Sequence, residues 1–382
     1  MRKLQGCAMR GFNRIGTVLE EPSPTPSRIA LICPSANEPI YHKRAQQLNS
    51  ILPVHIFSFT RDYYTENCFP ADLTYTALEK VENRKYASRL FSILRSVKKI
   101  RRMLPDVGDY TYYAMSVDCL LLAQLVGIPC GYYEVVDLRT AELREYPYAV
   151  LERILMGNVS GLVTTSKFFY EEFFKRHNAI AADKVFTIDN KINRRLQHCR
   201  PSHKTFGDGP IRIGFVGHVR FRRPLELLVE YAVNHPLRCT VECYGDGAAR
   251  DVIDSCRAEN VHYHGTFLNP EHLPDIYRKI DVNFVAYDTS FVNVRLAIPN
   301  KLFESAFFGV PILCSHGTAV SKVAQEWGIG TKVRIDSYHH FAEDMDVLTH
   351  EWLAMCSSNC FRQPTDELVD DGEVVLRRML RS

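Results

Sequence analysis

The 382-residue sequence predicts an α/β protein of two domains whose parallel sheets face a central cleft. Three observations carry this expectation. Short apolar runs alternate with amphipathic helical segments along nearly the whole chain, as in strands that pair in parallel through helical crossovers. The alternation breaks between Lys191 and Pro210, where charged, Ser, Gly and Pro residues take over as a linker. At about one domain per 150 residues the length asks for two to three domains. A composition of 46% hydrophobic and 24% charged residues can bury cores of that size.

Residues 1–27 form a leader that ends within the Pro- and Ser-rich "EEPSPTPSR". Its basic start, "MRKLQGCAMRGFNRIG", lacks the continuous apolar run of a signal peptide. The first domain, residues 28–195, opens with the strand "IALICP", the loop "SANEPIYHK" and a helix around "RAQQLNSIL". The strands "VHIFSF", "YTYYAM", "CGYYEVV" and "GLVTTS" follow, separated by a long helix from Tyr86 to Leu104 and the helices "VDCLLLAQLVG" and "YAVLERILMG". The helix "KFFYEEFFKRH", capped by Ser166, and the strand "KVFTIDN" close this half.

The second domain, residues 211–340, repeats the alternation. Its strands are "IRIGFVG", "CTVECYG", "VHYHG", "VNFVAY", "VPILCS" and "TKVRI". Helices fall at Leu225 to Asn234 and around "ARDVIDSCRAEN", "LPDIYRKI", "KLFESAFF" and "AVSKVAQEW". Residues 341–382, from "FAEDMDVLTHEWLAMC" onward, read as two further helices. Two such domains leave a cleft between the carboxyl ends of their strands, where open α/β sheets bind ligands.

Composition excludes several functions. A net charge of +3, with no aromatic RNA-binding signature or zinc-finger spacing, gives no footprint for nucleic acid. Of twelve cysteines, Cys33, Cys130, Cys243 and Cys314 sit in apolar, strand-like runs and read as buried free thiols. The closest pairs, Cys239 with Cys243 and Cys356 with Cys360, have no histidine partner in register, so no metal site is expected. No apolar stretch reaches the roughly 18 residues that span a bilayer. These features describe a reducing, cytoplasmic protein. No G-x-G-x-x-G follows a predicted strand, which makes a dinucleotide-dependent oxidoreductase a poor reading.

The helix over residues 86–104 has two possible uses. Tyr86, Leu90, Ile93, Leu94, Val97, Ile100 and Leu104 form a stripe expected to pack on the sheet. Arg89, Arg95, Lys98, Lys99, Arg101 and Arg102 lie largely away from it, a density that fits docking on the anionic inner face of a membrane at about 1 kcal/mol per basic residue.

Candidate site residues stand at strand ends of the second domain. "GFVGHVRFRRP" places Gly217 where a backbone can approach a phosphate, with Arg220, Arg222 and Arg223 just beyond. A solvated turn would also account for those arginines, but bidentate phosphate contacts at a strand-to-helix turn are the favoured reading. "YGDG", from Tyr244 with Gly245 onward, is explained by a tight turn alone, and Phe267 in "HGTF" either faces a flat base or covers the sheet edge. In "PNKLFESAFFGVPIL" Leu302, Phe303, Ala306 and Phe307 make one apolar face, with Asn300, Lys301, Glu304 and Ser305 opposite. Pro299 suits the first helical position and Gly309 the left-handed stop. An ion pair of Lys301 with Glu304 on a solvated face is the plain reading.

Together these motifs resemble the nucleotide-sugar-binding domain of GT-B glycosyltransferases, in particular family-4-type bacterial polysaccharide enzymes. "YYEVVDLR", "LVTTS" and "VFTIDNKIN" resemble the other half more loosely. The resemblance implies two Rossmann-like domains, with residues 341–382 packing back on the first. It implies transfer of a sugar from a nucleotide-diphospho-sugar to a glycan or lipid-linked acceptor, with no other cofactor. The N-terminus of the Pro299 helix would face the donor diphosphate and Glu304 the ribose hydroxyls. Arg220 and Arg223 would hold the leaving-group charge without a metal ion. Gly217, Tyr244, Gly245, Phe267, Asn300 and Lys301 would complete the donor site.

The sequence departs from the family twice. Leu296 stands where a second glutamate is usual, so the retaining outcome of those enzymes is not carried over. Val136 stands where a histidine often precedes Asp137. Asp137 or Glu134 would then be the general base, and either could equally cap the next helix or pair with Arg139. A UDP-sugar epimerase of the same fold and a non-catalytic scaffold subunit are the alternatives.

Overall fold

The computed structural model describes residues 26–61, 69–81, 86–142, 146–177 and 180–381; of the leader, residues 1–25 lie outside the described residues. In the first half, strands β1 (Arg28–Cys33), β2 (Val54–Thr60), β3 (Thr74–Lys80), β4 (Tyr110–Ala114), β5 (Cys130–Val135), β6 (Gly161–Thr164) and β7 (Val185–Thr187) form a parallel sheet in the order β3-β2-β1-β4-β5-β6-β7. Helices α1 (Pro39–Asn49), α2 (Tyr86–Met103), α3 (Val117–Val126), α4 (Tyr146–Met156) and α5 (Lys167–Phe169) connect them.

In the second half, β8 (Ile211–Val216), β9 (Cys239–Tyr244), β10 (Val261–Gly265), β11 (Val282–Val285), β12 (Ile312–Ser315) and β13 (Gly330–Val333) repeat that topology in the order β10-β9-β8-β11-β12-β13. Its helices are α6 (Arg222–Asn234), α7 (Asp251–Asp254), α8 (Leu273–Lys279), α9 (Val292–Leu296), α10 (Asn300–Phe308) and α11 (Ala319–Glu326). The chain ends in α12 (Tyr338–Met345), α13 (His350–Arg362), α14 (Thr365–Leu368) and α15 (Gly372–Met379). The strand order reverses between β1 and β4 and again between β8 and β11, the positions where a crevice opens beyond the strand ends.

The inner strands of both sheets are buried on both faces, which explains why they read as continuous apolar runs. In β4, Tyr112 enters the core on one side with Ile93 and Leu120, while its neighbour Tyr113 enters the opposite core with Ile29 and Leu48. Several elements differ from the sequence reading. β3 was not expected: it is an edge strand burying only Leu78, so its apolar signal is weak. The segment 167–177 is one α turn, capped by Ser166, that widens into a π turn over Tyr170–Phe174. The helix expected around 249–260 shortens to α7, and Asn260 instead donates to the carbonyls of Ala232 and Cys239. Cys33, Cys243 and Cys314 are buried, but Cys130 is half-buried, because it begins its strand.

The chain passes between the halves twice, and the two passages run together. The Ile192 amide donates to the Leu368 carbonyl at 3.0 Å, and the Asp370 amide to the Ile192 carbonyl at 3.0 Å. Arg200 donates to the carbonyls of Cys360 and Gln363. Residues 341–382 do not pack as a unit on the first half. Phe341, Met345 and Leu353 bury against the second sheet, and only α15 crosses, where Leu376 and Met379 bury with Ala45 and Leu48 of α1. Their apolar faces match different sheets, which a sequence without contact information does not reveal.

Asp189 lies at this crossing. Burial lifts its carboxyl from the ordinary 3.8 to about 6, with Lys191 opposing and Asp371 adding. Between those values the folded state holds a proton that the unfolded chain has lost, so this group's contribution falls as pH rises through the window. Asp189→Asn removes the titration. Its stability relative to the parent, from urea unfolding, is expected to grow between pH 4 and 6 and level off above; a difference independent of pH would contradict this.

Candidate active site

The α10 helix is built differently from a solvated amphipath. Pro299 is its cap residue, one position earlier than expected, and Gly309 ends it in the left-handed conformation at φ 71°. Lys301, Glu304 and Ser305 are buried along with the apolar face, because α8 and β11 cover that side and α13 and α14 cover another. The plain reading of a solvated ion pair is therefore overturned. Lys301 Nζ meets Glu304 Oε2 at 2.7 Å with both side chains under 10% exposed. Tyr277 donates its hydroxyl to the same oxygen at 2.7 Å, and Asn300 donates to Oε1 at 2.6 Å. Asn283 joins the network by donating to Tyr277 and Ser305. Burial, and then the Glu304 charge, push the Tyr277 phenol well above its usual range, so it stays a donor.

The loops beyond β8, β9 and β10 stack on one another. Gly217 donates its amide to the Tyr244 carbonyl at 2.8 Å, and Gly245 to that of Gly265 at 2.8 Å. Gly245 has φ 133°, and a Cβ there would lie 1.8 Å from the Gly217 carbonyl oxygen. Close backbone approach, more than a tight turn, accounts for "YGDG". Gly217 in turn lies over Lys301, whose Cε would be 3.3 Å from a Cβ at that position. Tyr244 is buried and stacks on His264 at 4.3 Å, and Phe267 is half-buried against the second core. Neither ring is among the residues lining the pocket described next.

Of the three arginines, Arg222 is paired to Asp251 and Glu226. Arg220 and Arg223 are exposed, and among the described residues no ion pair holds either. Arg220 lies over the Phe221 ring at 5.1 Å. With Phe221, Tyr287, Pro299, Ser315 and Thr318 it lines a pocket of about 150 Å³ at the ends of β11 and β12.

In the first half a cavity of about 540 Å³ opens beyond β1, β4 and β5, at the reversal of strand order. Asp137 is at its mouth, exposed, 3.8 Å from Arg139. Glu134 is not available as a base: it is fully buried, gripped by Arg44 through two bonds of 2.8 and 2.7 Å, and accepts from Tyr113 at 2.7 Å. Sequence reasoning missed three further carboxyls in the cavity wall, Glu38, Asp118 and Glu152. Asp118 pairs with Arg89 at 3.2 Å, and Glu152 accepts from Tyr133 and Thr140. Burial raises both from their ordinary values, opposed by the Arg89 charge at Asp118 and by the Thr140 and Tyr133 hydrogen bonds at Glu152. Both lie on helices, where a buried acid has no distinctive spacing.

A third cavity, about 200 Å³, joins the two: Asp137, Arg139 and Glu142 line one side, and Arg220, Phe291 and Asn293 the other. Asn293 accepts from the Leu138 amide at 2.7 Å and donates to Asp137 at 3.2 Å, and Ser166 donates to the Leu296 carbonyl at 2.7 Å. Leu296 packs on the first core, so the position of a second glutamate is occupied by an apolar domain contact.

Two doubly wound parallel sheets with their ligand loops turned toward one junction define the GT-B fold. No family model matches the chain. It is 25% identical over 326 residues to the succinoglycan biosynthesis protein ExoL of Rhizobium meliloti (strain 1021), covering 77% of this chain and 79% of that one. Among solved structures it is similar to a sucrose-phosphate synthase from Thermosynechococcus elongatus, with TM-score 0.67, 15% identity and coverage of 92% and 97% of the two chains. It is also similar to Anabaena Alr3699/HepE in complex with UDP-glucose, with TM-score 0.65, 12% identity and coverage of 93% and 98%.

Proposed function

We propose that this chain is a glycosyltransferase that moves a sugar from a nucleotide-diphospho-sugar to a glycan or lipid-linked acceptor in surface polysaccharide or glycolipid assembly. The observation that carries the reading is the run of three cavities sharing walls across the two sheets, with the free Arg220 on one side of the junction and Asp137 on the other. The name of the Rhizobium relative supports the polysaccharide context, and the UDP-glucose held by HepE supports the donor class.

In this reading the donor lies over Gly217 and the start of α10, its diphosphate between Arg220 and Arg223, which hold the charge as the nucleotide leaves. Asn300, Lys301 and Glu304 form the floor beneath the ribose. Glu304 uses three of about four lone-pair positions within the protein, which leaves one for a hydroxyl. The acceptor enters the large cavity, and Asp137 takes the proton from its attacking hydroxyl. Gly245 sets the height of the loops, while Tyr244 and Phe267 support them from behind. The cytoplasm supplies the donor, and residues 86–104 meet an anionic membrane surface. Among the described residues no helix is long and apolar enough to cross a membrane.

A thermal-shift screen against UDP, GDP, CDP and their sugars tests the reading. One nucleotide at about 100 times its dissociation constant stabilises by roughly 2.7 kcal/mol. No shift with any of them, from a folded protein, would contradict it.

A further inference from the structure

Helix α9 belongs to the second half by sequence and sits on the first half by contact. Val292, Leu296 and Ala297 pack against the first core, the Val292 amide donates to Glu142 Oε1 at 2.9 Å, and Ser166 holds the Leu296 carbonyl. Within this seat Asn293 makes two bonds to one turn of the first half. Its side-chain oxygen accepts from the Leu138 amide, and its NH2 group donates to Asp137 Oδ1. A backbone N–H needs an acceptor and a carboxylate needs a donor, so only one orientation of the Asn293 amide serves both. The Arg139 amide closes the turn by donating to the Asp137 carbonyl at 2.9 Å. The same segment touches the donor loop: the Phe291 ring lies 6.3 Å from that of Phe221, which carries Arg220 over its face at 5.1 Å. Arg220, Phe291, Asn293 and Asp137 thus line one cavity from both halves.

Resting on the glycosyltransferase reading and deepening it, we propose that Asn293 is the positioning residue for Asp137, and that α9 is the part through which the donor half orders the base of the acceptor half. Asp137 is exposed, and its second oxygen, Oδ2, has Arg139 only at 3.8 Å, so the bond from Asn293 is what aims the carboxylate. That bond fixes Oδ1 and leaves Oδ2 for the acceptor. In the transfer the acceptor oxygen bonds to the anomeric carbon and the bond from that carbon to the phosphate oxygen breaks. The acceptor proton moves to Oδ2, and the electron pair leaves on the nucleoside diphosphate beside Arg220. A base displaced by about 1 Å loses much of its effect. Phe291 and Asn293 stand two residues apart at the start of one short helix, so donor seating and base placement meet in a single turn.

The test uses the nucleotide sugar that stabilises the parent most in the screen above, with water as acceptor, and follows release of the nucleoside diphosphate by the full chain. Asn293→Ala is expected to lower kcat by at least about tenfold, while KM for the donor and affinity for the diphosphate stay within about twofold of the parent. Asn293→Asp separates positioning from docking. Its carboxylate still accepts from the Leu138 amide, but it has no N–H for Asp137 and sets a second negative charge at the 3.2 Å now spanned by Asn293. It should lose kcat as well, and the acid limb of its pH–rate profile should move to higher pH, since two carboxylates so close do not both ionise. The other charges around them, Arg139, Glu142 and Arg220, are the same in every variant. A residue that only docks α9 would leave kcat and the profile of Asn293→Asp at the parental values, and that result overturns the proposal. Hydrogen exchange at the Leu138 amide needs no turnover. Protection there should rise when the diphosphate binds the parent, and should not rise in Asn293→Ala; equal exchange in the parent with and without the diphosphate also overturns the proposal. Calorimetry on the same preparations separates the two levels. A parent that binds the diphosphate without these effects leaves the glycosyltransferase reading standing, whereas a folded parent that binds none contradicts that reading and this inference with it.

Discussion

Replacing Arg44 by methionine is expected to cost about 3–5 kcal/mol of folding stability, the effect of removing one partner from a buried ion pair. Both Arg44 and Glu134 are fully buried, and the guanidinium satisfies both carboxylate oxygens while Tyr113 adds a third bond. Methionine leaves the Glu134 charge without a cation in a core of Ile29, Leu31 and Leu48. The pair also ties α1 to β5 beside the acceptor cavity, and Gln47, which accepts from Arg44, carries the network to Asp370 near the second crossing. Adding Glu134→Gln should recover most of the loss, because no charge then remains buried. Urea unfolding of the four proteins in the cycle gives the coupling. Equal losses in the single and double variants would mean that the pair is not the source of the effect.

Replacing Glu304 by alanine is expected to act on both folding and donor binding. Lys301 is buried under Gly217, so removal of its carboxylate partner costs several kcal/mol. The sequence pattern alone had implied that folding would be nearly unaffected, since it placed Glu304 on a free face. Two roles are therefore superimposed at one residue, and a double change separates them. Lys301→Met with Glu304→Met replaces the pair by apolar groups of similar size and should restore most of the stability. It should still bind the nucleotide at least about tenfold more weakly than the parent, the value of a charge-assisted bond of about 1.5 to 3 kcal/mol. If the double variant bound nucleotide as well as the parent, the pair would be structural only.

The fold was legible because the inner strands of both sheets are buried on both faces and carry an unbroken apolar signal, while Gly309 and Ser166 punctuate the helices as their chemistry dictates. The edge strand β3 was not legible, since only Leu78 of it is buried. In the site, Gly217, Arg220 and Asp137 could be named from their place at strand ends. Arg44, Tyr277, Asn283, Asp118 and Glu152 could not. Each is a polar residue on an otherwise ordinary helix or strand, and only the packing of a distant element makes it a partner. Glu134 and Glu304 show the converse: their positions drew attention, but burial and the groups around them were set by α1 and α8, far away in sequence.

Calorimetric titration of nucleoside diphosphates into the parent and into Arg220→Ala/Arg223→Ala tests the donor site most directly. Both arginines are exposed and outside any ion pair among the described residues, so their removal leaves folding intact. The parent is expected to bind one nucleoside diphosphate, and the variant to bind it about a hundredfold more weakly, with a much smaller difference for the corresponding nucleoside. Equal affinities, or no nucleotide binding by a folded parent, would contradict the placement of the diphosphate between the β8 loop and α10.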